Sequence, residues 1–342
     1  MRNYQVLILF GCMIIFLTQS NFAFGEWKFL NSFGTMGDGT TNFNSPTGIA
    51  LDQEGKIYVA DFGNNRIQIF DFSGNFYPFI PVNGHAHGIE IAKDLIYVAV
   101  WGNPKIDIFT TDGTKVSSFS THEKPGDIAI NNHGEIYVTS YGTGTIQIFD
   151  FNGNVLKTIS PMLNGIHAKH TGIALDDLDN IYVTDYINDR VMKLDSSGNF
   201  LFEFIIPPKE GKFVRPTNIE ISSDRDVYVT DNSNKVFIFD TSGNFIYSFG
   251  EIGTKIGQFS APHGITFDDL RHAYIADFGN NRIQIFEIIN SLKEKTNNEV
   301  LEVNLKNEFK FDDYIYFIII IIIIIIVIVG IAGFILKKLS SK

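Results

Sequence analysis

Short apolar runs separated by turn residues recur along most of the chain. The runs are rich in Ile, Val, Tyr and Phe, as in Ile57–Ala60, and clusters of Gly, Asn and Asp lie between them. Branched and aromatic residues favour strands, and runs of this length suit strands better than helices. Residues 52–55 and 72–75 supply tight turns of the kind that join antiparallel strands. The pattern therefore predicts an all-β protein.

The runs group into a unit that is written six times. Its second strand starts at Ile57, Ile96, Ile136, Ile181, Val227 and Ala273, with spacings of 39, 40, 45, 46 and 46 residues. Four strands in about 40–50 residues are typical of a propeller blade. The sixth unit stops after its third strand, whereas residues 27–34 match the outer strand at 244–250. We predict a six-bladed β-propeller over residues 26–288, with four-stranded antiparallel blades and a ring closed by the N-terminal strand.

The repeated string also resembles a known family. It reads PTGIALD, GKIYVAD and NRIQIFD between residues 46 and 71, and residues 261–286 nearly duplicate it, with ADFGNNRIQIF identical. This is similar to the NHL repeat, over roughly residues 27–288. The resemblance implies a six-bladed propeller. NHL propellers occur in extracellular sensors, ubiquitin ligases, RNA-binding proteins and peptidyl-α-hydroxyglycine amidating lyases, so the fold alone does not choose a function.

Both ends of the chain have the pattern of targeting segments. Residues 6–17 are apolar or small behind Arg2, and residues 23–25 offer a cleavage site, so we predict a signal peptide over residues 1–25. An uncleaved anchor and a weak lipobox ending at Cys12 are the alternatives. Residues 315–336 lack any charge and would span about 33 Å as a helix. We predict a transmembrane helix over 314–336, after a polar stalk at 289–313.

The charges give the orientation of that span and exclude some partners. Lysines in the tail at 337–342 predict a cytoplasmic C-terminus, which leaves the propeller outside the cell in a single-pass cell membrane protein. The chain has 27 basic and 38 acidic residues. Without Arg2 and the three tail lysines, 23 basic residues remain, so the body has a charge of about −15. Such a body disfavours nucleic acid as a partner.

The loop between the second and third strands should open beside the central channel. One position in it is aromatic in five blades: Phe62, Trp101, Tyr141, Tyr186 and Phe278. Aromatic rings there either stack on a ligand or fill the gap between blades. Trp101 and Tyr141 are the better ligand candidates, because Val100 and Ser140 replace the acid that precedes the aromatic in other blades.

That acid forms part of a predicted structural pair in each of the other four blades. The pairs are Asp61 with Arg66, Asp185 with Arg190, Asp231 with Lys235 and Asp277 with Arg282. We expect exposed ion pairs, each worth about 0–1 kcal/mol.

Histidines and carboxylates on the innermost strands are candidate metal ligands. The amidating lyases that the resemblance brings in hold a metal with three histidines on alternate blades. Here His87 and His263 are in register, and His170 lies one residue out of register, where a strand side chain points the other way. Glu90 and Glu220, with Asp127, could hold a channel cation such as Ca²⁺, whereas histidines suit Zn²⁺. The alternative for both sets is a polar channel lining.

We therefore expect a surface-anchored binding, scaffold or sensor propeller that presents its channel face to an extracellular protein, peptide or glycan. The alternative is a metal-dependent lyase or hydrolase of the amidating-lyase type with an incomplete histidine set. No P-loop, HExxH, GxSxG, EF-hand or RING-type pattern occurs in the sequence. No cofactor is therefore certain.

Overall fold

A computed structural model describes residues 26–163 and 165–289. The predicted signal peptide, transmembrane helix and tail lie outside these ranges, as does the stalk apart from Ile289. Within the described part of the chain, no helix is long and apolar enough to cross a membrane.

Six four-stranded antiparallel sheets form the blades. From the innermost to the outermost strand, blade one has Pro46–Leu51, Ile57–Asp61, Arg66–Phe70 and Phe76–Pro81. Blade two has His85–Ala92, Leu95–Trp101, Lys105–Thr110 and Lys115–Ser120. Blade three has Pro125–Ile130, Ile136–Ser140, Ile146–Phe149 and Val155–Ile159.

The second half of the ring repeats this order. Blade four has His170–Leu175, Ile181–Asp185, Arg190–Leu194 and Phe200–Glu203. Blade five has Pro216–Ile221, Asp226–Asp231, Lys235–Asp240 and Phe245–Phe249. Blade six has Pro262–Phe267, His272–Asp277, Arg282–Ile289 and, as its outermost strand, Glu26–Phe33. This confirms the predicted all-β six-bladed propeller.

The N-terminal strand closes the ring as predicted. It pairs antiparallel with Arg282–Ile289, in a register that runs from Glu26 opposite Ile289 to Phe33 opposite Ile283, with an irregularity at Leu30. Trp27 packs against Phe249 of blade five and Phe286 of blade six, with ring centroids 4.8 and 4.7 Å apart. The closing strand is thus held by backbone pairing and by aromatic packing at the junction of two blades.

The hydrophobic core is divided among the junctions between blades. Six clusters of buried apolar residues each join two neighbouring blades, and one of them joins blade six to blade one. Alternation along each strand places one set of side chains against the preceding blade and the other against the following blade. No central core is needed, so the innermost strands can surround a channel.

Small elements complete the loops. Two-residue strands pair in three places: Thr35–Met36 with Asn42–Phe43, Met162–Leu163 with Ile166–His167, and Glu251–Ile252 with Gln258–Phe259. Three 3₁₀ turns span Phe62–Asn64, Pro208–Glu210 and Phe278–Asn280.

Candidate functional site

Four of the five predicted loop aromatics form one continuous surface at the channel mouth. Successive ring centroids are 5.7 Å apart from Phe62 to Trp101, 5.8 Å from Trp101 to Tyr141, and 6.0 Å from Tyr141 to Tyr186. Each ring is half-buried. We call these four residues the aromatic arc. Because each comes from a different blade, the arc both packs against blade junctions and presents ring surface to solvent.

Two blades do not contribute to the arc: blade six, with the fifth predicted aromatic Phe278, and blade five, which has Asn232 at this position. Phe278 stacks on His263 of its own blade, with centroids 4.4 Å apart. In blade five, Asn232 replaces the aromatic, and its side-chain amide donates to the Tyr186 hydroxyl at 3.3 Å. The arc therefore begins at blade one and ends at blade four.

Two exposed cations lie over the arc. The Lys124 amine is 5.9 Å from the Trp101 ring centroid and 5.8 Å from that of Tyr141. The Arg215 guanidinium is 5.8 Å from the Tyr186 ring centroid. Both residues have a left-handed backbone, at φ 51° and 49°, directly before the proline that starts an innermost strand. Sequence reasoning missed them, although their shared position before that proline could have revealed them.

Two acidic groups share these loops with the cations. Glu123 is exposed next to Lys124, and Asp189 is exposed next to Arg190. The Asp189 carboxylate accepts a hydrogen bond from the Arg215 backbone amide at 2.8 Å, which holds it at the base of the loop.

His87 and His263 both line the narrow part of the channel, and both are covered by aromatic rings. Trp101 stacks on His87, with centroids 4.6 Å apart and planes inclined by 2°. Desolvation lowers the pKa of His87 to about 4, against the effect of its hydrogen bond to Gly126. Desolvation and the nearby His87 lower the pKa of His263 to about 3. Both imidazoles are therefore neutral at physiological pH.

His87 makes the hydrogen bond that threonine makes at the same position in three other blades. The hydroxyls of Thr47, Thr171 and Thr217 each donate to a backbone carbonyl of the next blade, at 2.9, 3.1 and 2.7 Å. His87 Nδ1–H donates in the same way to the Gly126 carbonyl at 2.8 Å. This bond fixes the proton on Nδ1 and gives the histidine a structural role between blades two and three.

His170 does not join the other two histidines. Thr171, the next residue, lines the channel, while the His170 ring is fully buried beside the Thr184 carbonyl at 3.4 Å. Desolvation lowers its pKa to about 4. Its position opposite Asp185 is the one that proline occupies in four other blades. The structure therefore gives no support to His170 as a third ligand, because the one-residue offset turns its side chain away from the channel.

Three carboxyl groups, those of Glu90, Glu220 and Asp127, interact electrostatically, although only Asp127 lines the narrow part of the channel. Desolvation raises the pKa of Asp127 to about 7 and, together with the Asp127 charge, raises that of Glu220 to about 8. Desolvation, Glu220 and Asp127 raise the pKa of Glu90 well above its ordinary value. Carboxyls buried close together favour the neutral acid.

Asp127 also makes a contact between two blades that are not neighbours in the ring. Its carboxylate accepts from the Asn218 amide at 2.7 Å, a contact between blades three and five. Gly172 of blade four lies beneath it, and a Cβ there would come within 2.7 Å of the Asn218 Cα. The cavity that His87, His263 and Asp127 line is only about 10 Å³, close to the minimum for one water. No group of three or more His, Cys, Asp or Glu among residues 26–163 and 165–289 is arranged to hold a metal ion.

The predicted ion pairs are present in three blades, but they are buried rather than exposed. Arginine Nε lies 2.8 Å from the aspartate oxygen in Asp61–Arg66, Asp185–Arg190 and Asp277–Arg282, and each carboxylate is fully buried. Each aspartate also accepts a backbone N–H from a residue one or two positions before the innermost strand. The pairs thus fasten the loops that enter the channel wall.

The fourth predicted pair does not form. The Lys235 amine donates instead to the Glu210 carbonyl at 3.3 Å. Asp231 accepts from the backbone amides of Val214 and Ser233. Desolvation raises the pKa of Asp231 to about 6, as expected for a buried carboxyl without a cation.

Comparisons with known proteins agree with this architecture. The NHL repeat family model matches residues 43–70 and 259–286. Protein brain tumor of Drosophila melanogaster is 30% identical over 141 aligned residues, in a match that covers 36% of this chain and 13% of that protein. The chain therefore spans only a small part of that relative's length.

Solved structures share the fold at low sequence identity. Virginiamycin B lyase from Staphylococcus aureus superposes with a TM-score of 0.57 and 17% identity, over 77% of this chain and all of the other. A structural genomics protein from Bacteroides thetaiotaomicron gives a TM-score of 0.66 and 13% identity, over 77% and 76%. The chain carries NHL repeats and folds as a six-bladed β-propeller.

Proposed function

We propose that this NHL-repeat propeller is a binding module anchored at the cell surface, which holds an extracellular protein, peptide or glycan on its channel face. The aromatic arc is the observation that supports this proposal. The arc consists of four half-buried rings in contact, and two exposed cations lie above them. Because these rings already pack against one another, a ligand can remove water from them with little loss of side-chain conformational entropy.

A lyase or hydrolase activity is the second hypothesis, and the site geometry favours it less. Trp101 covers His87 and Phe278 covers His263. The cavity that both histidines line has room for about one water, so it is too small for a substrate in this arrangement of the rings. The likeness to virginiamycin B lyase, at 17% identity, concerns the fold alone.

Binding is tested with the full chain on arrays of peptides and glycans. The double variant Trp101→Phe, Tyr141→Ala removes much of the arc. We expect it to bind the tightest ligand found on the arrays with an affinity reduced by about tenfold or more. Phe151→Ala is the matched control, since Phe151 is 72% exposed on a turn at the opposite end of blade three. Unchanged binding by the arc variant would contradict the proposal.

The enzyme hypothesis has its own test. The full chain and its His87→Thr and His263→Thr variants are analysed for bound metal and screened for cleavage of virginiamycin B and of peptides. A stoichiometric metal that disappeared from either variant would favour the enzyme hypothesis. We expect the wild type and both variants to behave alike.

The proposed location is tested on intact cells that express the chain with a C-terminal tag. Added protease should remove the propeller and leave the tag protected. Protection of both parts would contradict a propeller outside the cell.

A further inference from the structure

The spacing of the arc fits an extended peptide. Its successive rings are 5.7, 5.8 and 6.0 Å apart. In an extended chain, alternate side chains on one face repeat about every 6–7 Å, because each residue advances about 3.3 Å. Three or four alternate side chains of one peptide can therefore meet successive rings of the arc.

The inclination of the rings favours side chains over sugar rings as occupants. Neighbouring planes are inclined by 81°, 33° and 75° along the arc. The surface therefore consists of ring faces and edges tilted against one another and lacks a single flat platform. An apolar side chain can rest on the exposed part of one ring and touch the edge of the next ring at the same time.

The charge around the arc favours an acidic peptide. Lys124 and Arg215 are exposed and lie above three of its rings, on a body that is otherwise strongly acidic. Two acidic side chains lie nearby. The Asp189 carboxylate accepts a hydrogen bond from the Arg215 backbone amide, whereas the carboxylate of Glu123, next to Lys124, has no backbone bond of this kind within the described residues. A carboxylate of the ligand can therefore meet each cation at the rim.

We propose that the aromatic arc binds an acidic peptide segment in extended conformation, with apolar side chains at alternate positions and carboxylates that meet Lys124 and Arg215. This inference rests on the proposed function and names the ligand class of the same surface. It commits to a peptide, so glycans and nucleic acids become outcomes of the test.

The probe is an eight-residue peptide that alternates tyrosine with aspartate, carries a fluorophore, and is titrated with the full chain by anisotropy. Two matched peptides test its features: one alternates tyrosine with lysine, and one places four tyrosines before four aspartates. We expect the alternating acidic peptide to bind at least about tenfold more tightly than either, and its affinity to fall as salt is raised.

Three variants locate the binding. Lys124→Gln and Arg215→Gln should each weaken the acidic peptide by about three- to tenfold and reduce its salt dependence, whereas Lys157→Gln, on the outermost strand of blade three, should have no effect. Tyr141→Ala should lower the affinity for every peptide whose apolar side chains contact the arc. Circular dichroism and thermal unfolding show whether each variant has folded, and Tyr141→Leu, which removes the ring and keeps an apolar side chain, serves as the second variant if Tyr141→Ala has not.

The outcomes separate this inference from the proposed function. Equal binding of the lysine or block peptide would overturn the acidic extended ligand. So would tighter binding of a single-stranded RNA or of a glycan at the arc. In those cases the arc would still be a ligand site, as long as Tyr141→Ala weakened binding. If the arc variants bound every probe as the wild type does, both proposals would fail.

Discussion

Removal of the Asp61 carboxylate should cost far more stability than removal of an exposed charge. Asp61 is fully buried and accepts four hydrogen bonds. Its donors are the Asn44 backbone amide at 2.8 Å, the Asn64 side-chain amide at 2.8 Å, Arg66 Nε at 2.8 Å and the Gln68 side-chain amide at 3.0 Å. Asp61→Ala leaves the Arg66 guanidinium buried with no counter-charge. Breaking a buried pair in this way costs roughly 3–5 kcal/mol.

The assay is urea unfolding followed by the fluorescence of Trp27 and Trp101, the two tryptophans of the chain. For a domain of this size, the predicted loss corresponds to a fall in melting temperature of roughly 6–20 °C. Asp71→Ala is the control. Asp71 is a turn residue whose carboxylate is bonded to Asn75 at the surface, so its loss should cost far less than the loss of the Asp61 carboxylate.

A double variant tests the cause of the loss. Asp61→Ala combined with Arg66→Leu removes the unpaired charge, so its cost should be clearly less than the sum of the two single losses. A loss below about 1 kcal/mol for Asp61→Ala, equal to that of Asp71→Ala, would refute the assignment of this pair as a buried anchor.

Three further predictions concern the channel. Burial raises the folded-state pKa of Asp127 to about 7, so its contribution to stability declines as pH rises from about 4 through 7. Between pH 5.5 and 9 the free energy of unfolding of Asp127→Asn should therefore change less than that of the wild type, by up to roughly 2 kcal/mol, and an equal change in both would contradict this. Burial lowers the folded-state pKa of His87 to about 4, so its contribution to stability is present above about pH 6.5 and declines as pH falls through 4. The His87→Thr variant keeps a donor for the Gly126 carbonyl and should unfold at a lower pH than the wild type in an acid titration. The same or a higher midpoint would refute the assignment. Gly172→Ala should destabilise the protein by about 1–3 kcal/mol in urea unfolding, because its Cβ would press on Asn218, and a neutral effect would show that the channel wall can relax.

The repeat made the fold predictable from the sequence. Matching strings at residues 27–34 and 244–250 identified the outer strand of the last blade, because every outer strand must satisfy the same pairing and junction packing. The same register placed Phe62 and its counterparts at the channel mouth. Periodicity sufficed for these features because they depend on position within the unit.

Contacts between different blades were harder to predict. Asp127 and Asn218 each replace a glycine of the repeat, but their bond depends on the absence of a side chain at Gly172, in the blade between them. The Asp61–Arg66 pair was expected to be exposed. It is buried because carbonyls of residues 38–42, from an irregular loop, cover the guanidinium. The carbonyls of Thr254, Lys255 and Gln258 hold the Arg282 guanidinium in the same way, so this loop path recurs in blade six, but the pattern of strands alone did not reveal it.

The surroundings of individual charges also decided which pairs form. Lys235 lies opposite Asp231 on the adjacent strand, as the motif requires, yet its flexible side chain donates to the Glu210 carbonyl. A lysine lacks the planar fork with which arginine holds a carboxylate and several carbonyls at once. The motif position alone therefore did not guarantee the pair.

The two tryptophans offer the most direct test of the arc as the binding surface. Trp101 belongs to the arc, whereas Trp27 lies at the ring closure between Phe249 and Phe286. In a titration of the full chain with the alternating tyrosine–aspartate peptide, the Trp27→Phe variant should show a saturable change in Trp101 emission, and the Trp101→Phe variant should show none. A saturable change in the emission of Trp27 with none in that of Trp101 would place the ligand elsewhere and contradict the central claim.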